Sequence, residues 1–218
     1  MPQKNFRPFA GTTLTDLAIQ QSLEATCLNE VLVSSDSPEV LAIARNYQGV
    51  GIVERPAEIA GDTSPAIDYQ CHSLAFMKQT RGKTFDCVAI IQPSSPLRTG
   101  RDIDGTVDLL RRNPQADSAV SVVSLPHMVH PSKLKKMEGN RLLPLFGEEE
   151  TKTSAHELPP VFVRNCAVYV FKVSNIVKNV QFGQCSLGFV MPPETAVDIN
   201  TELDFEFAEY LFQKGATS

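Results

Sequence analysis

Two segments of this chain carry the residue types best suited to chemistry. Ile90-Ile91-Gln92-Pro93-Ser94-Ser95-Pro96-Leu97-Arg98 passes from an apolar run into a proline-bounded stretch of amide and hydroxyl groups. Val197-Asp198-Ile199-Asn200-Thr201-Glu202-Leu203-Asp204 brings a carboxylate and an amide to the threshold of a helix. Amides and hydroxyls can read a hydroxylated ligand, whereas carboxylate and amide oxygens suit a hard cation that also takes phosphate oxygens. In open α/β sheets ligands bind outside the carboxyl ends of the strands. Two strand ends of this kind describe a site for a phosphorylated ligand and a metal.

The elements that must position them follow from hydrophobic periodicity. Apolar residues at 14, 17, 18, 25 and 28 have a helical period, and Val31-Leu32-Val33-Ser34-Ser35 reads as a short buried strand. Ser37-Pro38 supplies an N-cap and a first-turn proline for a helix burying Val40, Leu41, Ala44 and Tyr47. A strand over 50–53, a helix burying Ile67, Cys71, Leu74 and Ala75, and the strand over 87–92 come next. Ile103, Val107 and Leu110 mark a further helix, and residues 118–125 a further strand. The core resumes over 161–171, and residues 197–199 are expected to close the last core strand. Thr201 and Asp204 then form a variant capping box for a final helix burying Leu203, Phe207 and Leu211.

Alternating strands and helices predict a single α/β domain over 1–218 with a doubly wound, mostly parallel sheet. Residues 127–164 break that pattern with four prolines, the basic run Lys133-Leu134-Lys135-Lys136 and the acidic run Glu148-Glu149-Glu150. A hairpin with Gly139-Asn140 at its turn is expected there. The excursion is too long for an ordinary connection, so it reads as a lid or as an arm for a partner.

Size and composition agree with one buried core: 218 residues, 42% of them hydrophobic. A net charge of −5 argues against a nucleic-acid partner. No run approaches the ~18 apolar residues of a membrane span, and no signal peptide is visible. The five cysteines form no C-x-x-C pair and read as reduced thiols of a cytoplasmic protein.

Five segments, in order, resemble the acylneuraminate cytidylyltransferases, which activate sialic acid and related nine-carbon sugar acids. They are Lys4-Asn5-Phe6-Arg7-Pro8-Phe9-Ala10-Gly11, Val33-Ser34-Ser35-Asp36, and Arg55-Pro56-Ala57-Glu58-Ile59-Ala60-Gly61-Asp62-Thr63, followed by the 92–98 and 198–201 runs. The resemblance implies a nucleotide-diphospho-sugar transferase-like fold and attack of a sugar-acid hydroxyl on the α-phosphate of CTP, with magnesium, in a homodimer. It implies Lys4 and Asp198 as catalytic residues and Lys4, Asn5 and Arg55 as nucleotide ligands. Gln92, Ser94, Ser95, Lys133 and Arg164 fall to the acceptor, with Lys133 reaching across the dimer interface. Asp198 and Asn200 fall to the metal. Arg98 reads instead as a cap or as a partner for a carboxylate.

Departures from the family pattern cluster on the same surface. Asn200 stands where a second aspartate is usual, Cys166 where a glycine is, and Ala155 and Ala66 where an arginine and a serine are. They point to a different acid or to weak activity. Two rival readings follow: an inactive nucleotide-binding homologue with a regulatory or interaction role, and a cytidylyltransferase for another acid such as the eight-carbon acid of lipopolysaccharide.

Family members also open with an apolar strand and a loop of the type Ala-Arg-Gly-Gly-Ser-Lys before the Lys-Asn match. Here the chain starts at Met1-Pro2-Gln3-Lys4-Asn5. The domain is therefore expected to be N-terminally truncated; a late start is preferred to a shortened chain or a degenerate homologue. A missing central strand would leave unpaired backbone groups, each costing roughly 1–3 kcal/mol if dry. Catalysis by the chain as it stands is expected to suffer.

Overall fold

The computed structural model describes residues 3–61, 63–147 and 158–215. The readings that involve Asp62, the acidic run 148–150 and Ala155 lie outside them. A small hairpin of β1 (Pro8–Phe9) and β2 (Thr12–Thr13) leads into α1 (Leu14–Glu24), whose first turn is capped by the Thr13 hydroxyl. Strand β3 (Val31–Ser35), helix α2 (Pro38–Ala44) and strand β4 (Val50–Glu54) follow. As expected, Ser37 caps α2 by accepting from the Val40 amide. Helix α3 (Ala66–Arg81) then leads to β5 (Cys87–Ile91), α4 (Gly100–Arg111) and β6 (Ser118–Ser124).

The excursion holds the hairpin of β7 (Lys135–Glu138) and β8 (Arg141–Pro144), with Gly139 at φ +60° in its turn. Strand β9 (Phe162–Lys172), the short α5 (Val173–Ile176), β10 (Ser186–Val190) and α6 (Glu202–Gln213) complete the chain. Residues 197–200 belong to no helix or strand, so β10 is the last core strand. That corrects the sequence reading.

Strands β10-β6-β9-β5 form one sheet, in which β10 is parallel to β6 and β9 is antiparallel to both β6 and β5. Strands β3 and β4 pair in parallel as a separate sheet. The α/β class stands, and β9 is the one strand of its four-stranded sheet running against the rest. The main core packs α4 residues Ile103 and Leu110 on Ala119, Val168, Val170 and Met191.

Between β3 and β5 lies a cavity of about 940 Å³, lined by every residue of both strands and by α1, α3 and α4. A five-residue strand is ~16 Å long; at ~4.8 Å spacing in a layer ~10 Å deep it occupies roughly 800 Å³. The two volumes are of the same order. Helix α3 turns Gln70 and Met77 inward, leaving Cys71 and Ala75 exposed where burial was expected. Gln70 is 1% exposed, and neither of its amide atoms has a hydrogen-bond partner.

Helix α6 carries its predicted capping box, Thr201 with Asp204, but not its predicted buried face. Leu203 is 73% and Phe207 52% exposed, while Phe205 and Ala208 are buried. The cause is the N-terminal hairpin. Phe9 meets Phe205 edge-on at 5.3 Å and packs with Leu14 and Leu17 on that side of the helix.

Candidate active site

The polar loop after β5 is folded by its own carbonyl groups. Gln92 O accepts from the Ser95 amide at 3.3 Å, and Pro96 O accepts from Gln21 Nε2 of α1 at 2.7 Å. Ser94 O accepts from the amide of Ile199 at 2.8 Å. That last bond seats the 197–200 segment against the loop, bringing the two chemistry-bearing stretches of the sequence into contact. Lys4 completes the junction, because its Nζ donates to Ile199 O at 2.6 Å. A cation, a carboxylate and the strand-end loop thus meet around one residue.

At this junction Asp198 Oδ2 accepts from Asn200 Nδ2 at 2.9 Å, while Asp198 Oδ1 is buried without a partner. Buried acceptors are almost always satisfied, so an orphaned carboxylate oxygen is the position a cation would take. Among the described residues no group of three His, Cys, Asp or Glu side chains converges. With one orphaned carboxylate oxygen on the protein side, a magnesium ion here would have to complete its shell with phosphate and water oxygens. The Asn200 backbone N–H donates to Asp204 Oδ2 at 3.0 Å, so the cap of α6 fixes this segment from its other end.

Other expected residues surround the mouth of the gap between β3 and β5. Asn5, Arg55 and Gln92 all line it. Asn5 O is held by the Thr15 amide at 3.0 Å and hydroxyl at 2.7 Å. Arg55 Nη2 donates to Ser34 O at 2.7 Å, and its guanidinium lies 4.6 Å from the centre of the Tyr69 ring. Ser94 and Ser95 are buried, with the Ser95 hydroxyl 3.5 Å from Asn165 O. Ser95 faces the core, where it can shape the loop.

Lys133 and Arg164 take no part in the bonds named above. Lys133 Nζ lies 3.2 Å from His127 Nδ1 within the arm, and Arg164 lies 4.7 Å from the centre of the Phe182 ring. Sequence reasoning missed Tyr169, whose phenol has its pKa raised by burial and then by its hydrogen bond to Cys166, and which feels both Arg164 and Asp198. No periodicity marks it, because alternate residues of β9 are equally apolar. Arg98, read as a cap or as a partner for a carboxylate, caps carbonyl groups. It is buried, and Nη1 donates to Gln92 O and to Ser95 O, the latter at 2.9 Å.

A family model for cytidylyltransferases matches residues 1–214. The chain belongs to that family. This cytidylyltransferase is 26% identical over 212 residues to the post-translational flagellin modification protein B of Campylobacter coli, covering 97% of this chain and 88% of that one. It is 28% identical to the CMP-N,N'-diacetyllegionaminic acid synthase of Legionella pneumophila, over 98% of this chain and 90% of that one. Among solved structures, a CMP:2-keto-3-deoxy-manno-octonic acid synthetase complexed with CTP superimposes with a TM-score of 0.65 at 14% identity. That likeness covers 98% of this chain and 93% of the other, and shows a shared fold. The resemblance to acylneuraminate cytidylyltransferases drawn from the motifs holds. Among the described residues no helix of this cytidylyltransferase is long and apolar enough to cross a membrane.

Proposed function

We propose that this cytidylyltransferase transfers CMP from CTP to a hydroxyl of a sialic-acid-like nonulosonic acid, giving a CMP-sugar and pyrophosphate. The observation that carries the reading is the junction at Ile199, whose backbone takes the Lys4 side chain and the Ser94 loop beside Asp198. Phosphoryl transfer requires positioning and charge stabilisation more than covalent chemistry from the protein. Magnesium, held by Asp198 with Asn200 beside it, would supply Lewis-acid stabilisation of the phosphate oxygens. The Lys4 ammonium adds a fixed positive charge beside the same segment, and Asn5 and Arg55 hold the nucleotide at the gap's mouth. Gln92, Ser94 and Ser95 form and shape the acceptor side.

The acceptor's carboxylate falls to Arg164 and, from a partner subunit, to Lys133. Support for a homodimer comes from the arm, where Met128, Met137, Leu142, Phe146 and Phe162 are all exposed. Exposed apolar clusters of this kind mark association surfaces, and light scattering across a dilution series checks it. The cytidylyltransferase is read as cytoplasmic, in keeping with its free cysteines.

The single domain is read as N-terminally incomplete, its gap taking an apolar strand that precedes Met1. The gap's size and the position of Asn5 on its wall support this reading. The split sheet also favours a second reading for the chain as it stands, an inactive nucleotide-binding homologue. Pyrophosphate release from CTP and magnesium, with a panel of nonulosonic acids and the eight-carbon acid, tests both. The extended protein should turn over, with the present chain at least ~100-fold slower for want of preorganised phosphate donors. No turnover by the extended protein with any acid would overturn the enzyme reading, and equal rates would overturn the incomplete-sheet reading.

A further inference from the structure

Arg98 is the largest fully buried side chain among the described residues, at 1% exposure. None of the ion pairs found among those residues includes it. Its Nε and Nη2 groups have no hydrogen-bond partner, and only Nη1 is engaged. Burial pulls its pKa down to about 9, against the opposing charge of Asp102. A buried cation without a bonded carboxylate lowers stability, and an apolar side chain of similar volume is often better tolerated. A stability role therefore does not explain this arginine.

What Nη1 holds does explain it. The guanidinium ties Gln92 O to Ser95 O, closing the loop around Ser94. Ser94 O in turn takes the Ile199 amide, and Ile199 O takes Lys4 Nζ. One unbroken path of bonds and backbone runs from Arg98 through Ser94 and Ile199 to Lys4, with Asp198 and Asn200 as the immediate neighbours of Ile199. We propose that Arg98 is a positioning residue: from beneath the loop it sets where Lys4 and Asp198 stand relative to the acceptor side, at the expense of fold stability. This rests on the proposed transferase reading.

The test pairs Arg98→Met, which keeps volume and removes charge and donors, with Arg98→Lys, which keeps a charge and a donor. Amide exchange at Ile199 is measured in the full chain and needs no turnover. Both variants should exchange Ile199 at least tenfold faster, while β5 amides such as Ala89 stay within twofold and the Met variant melts no lower than wild type. In the form that turns over CTP, kcat should fall at least tenfold in the Met variant with the CTP KM within threefold. Lysine should recover part of kcat.

Unchanged Ile199 exchange in either folded variant would overturn the proposal. So would a Met variant whose exchange rises equally throughout the chain, since that is general loosening. If the Met variant does not fold, the Lys variant carries the same exchange and kcat criteria. If wild type never turns over, the transferase reading falls, and the exchange result alone decides whether Arg98 holds the segment.

Discussion

The β5–β6–β9–β10 sheet and the β3–β4 pair are built from similar residues and reach different states. In the four-stranded sheet, apolar side chains such as Ala119, Val168 and Val170 are buried, and β6 and β9 each have a partner on both edges. In the pair, all five residues of β3 remain half-buried, although Val31, Leu32 and Val33 are as apolar as their counterparts. The difference is partners, not composition. A parallel strand is stable when helices cover both faces and neighbours cover both edges, and β3, like β5 across the gap, lacks one neighbour. The proposed chemistry is divided accordingly. Asp198, Lys4 and the Ser94 loop rest against the complete half, whereas Arg55 stands just beyond β4 and leans on Ser34 of β3.

The sharpest way to break that comparison is to remove one charge from each half. Asp198→Ala should reduce kcat on the order of a thousandfold, about 4 kcal/mol of transition-state stabilisation. Arg55→Ala should raise the CTP KM about tenfold with little change in kcat, the mark of uniform binding. Steady-state kinetics on the active form separates the two. Equal effects on kcat would mean that the two halves act as one rigid site. In the same series, Asn200→Asp should lower the magnesium concentration at half-saturation, since a second carboxylate adds attraction for a divalent ion.

Much of this division was legible in the sequence. Local signals with a backbone mechanism survived: the Ser37 and Thr201 caps, the Gly139-Asn140 turn, and the polar strand end at Gln92. Where two faces of one helix are comparably apolar, the phase could not be read. Helix α6 offers Leu203, Phe207 and Leu211 or Phe205, Ala208 and Phe212, and the choice is made by Phe9, far away in sequence. The same holds for α3, where Gln70 faces the gap. Residues 197–199 look like a strand because apolar Val197 and Ile199 flank Asp198, yet strand pairing depends on a neighbour that composition does not show. For Arg98 the capping role was legible and the groups it caps were not. Its partners are carbonyl groups, which leave no trace in side-chain chemistry.

A smaller effect should come from the tether between the halves. Asp104 of α4 accepts from the Thr26 amide and hydroxyl and from the Cys27 amide, joining the four-stranded half to the stretch that leads into β3. Desolvation raises its pKa, but hydrogen bonds from Cys27 and Thr26 outweigh that and bring it down to about 2. The folded pKa lies below the unfolded one, so the stabilisation is complete above the ordinary carboxylate range near 4 and is lost as pH falls toward 2. After discounting for solvent screening, the contribution is less than about 1 kcal/mol. Thermal melts of wild type and Asp104→Asn should differ by a few degrees at pH 6 and converge near pH 2. Coincident curves at pH 6 would show that the halves do not depend on this tether.

The smallest expected change lies wholly within the complete half. Cys166 adopts φ +62°, the left-handed region, within β9, whose pairing with β6 shifts register between Val120 and Val122. A side chain costs about 1–2 kcal/mol there, and glycine costs nothing, which gives a physical reason for the glycine that the resemblance expects. Glycine loses about 0.5–1 kcal/mol more conformational entropy on folding, and the Tyr169 hydroxyl would give up its 3.3 Å bond to the Cys166 sulfur. Cys166→Gly should therefore stabilise by no more than about 1 kcal/mol, a rise of roughly 2–4 °C in Tm at most. Calorimetry on the purified variant measures it. A lower Tm would mean that the Tyr169–Cys166 contact outweighs the backbone strain, and that the complete half uses the cysteine at this position instead of merely tolerating it.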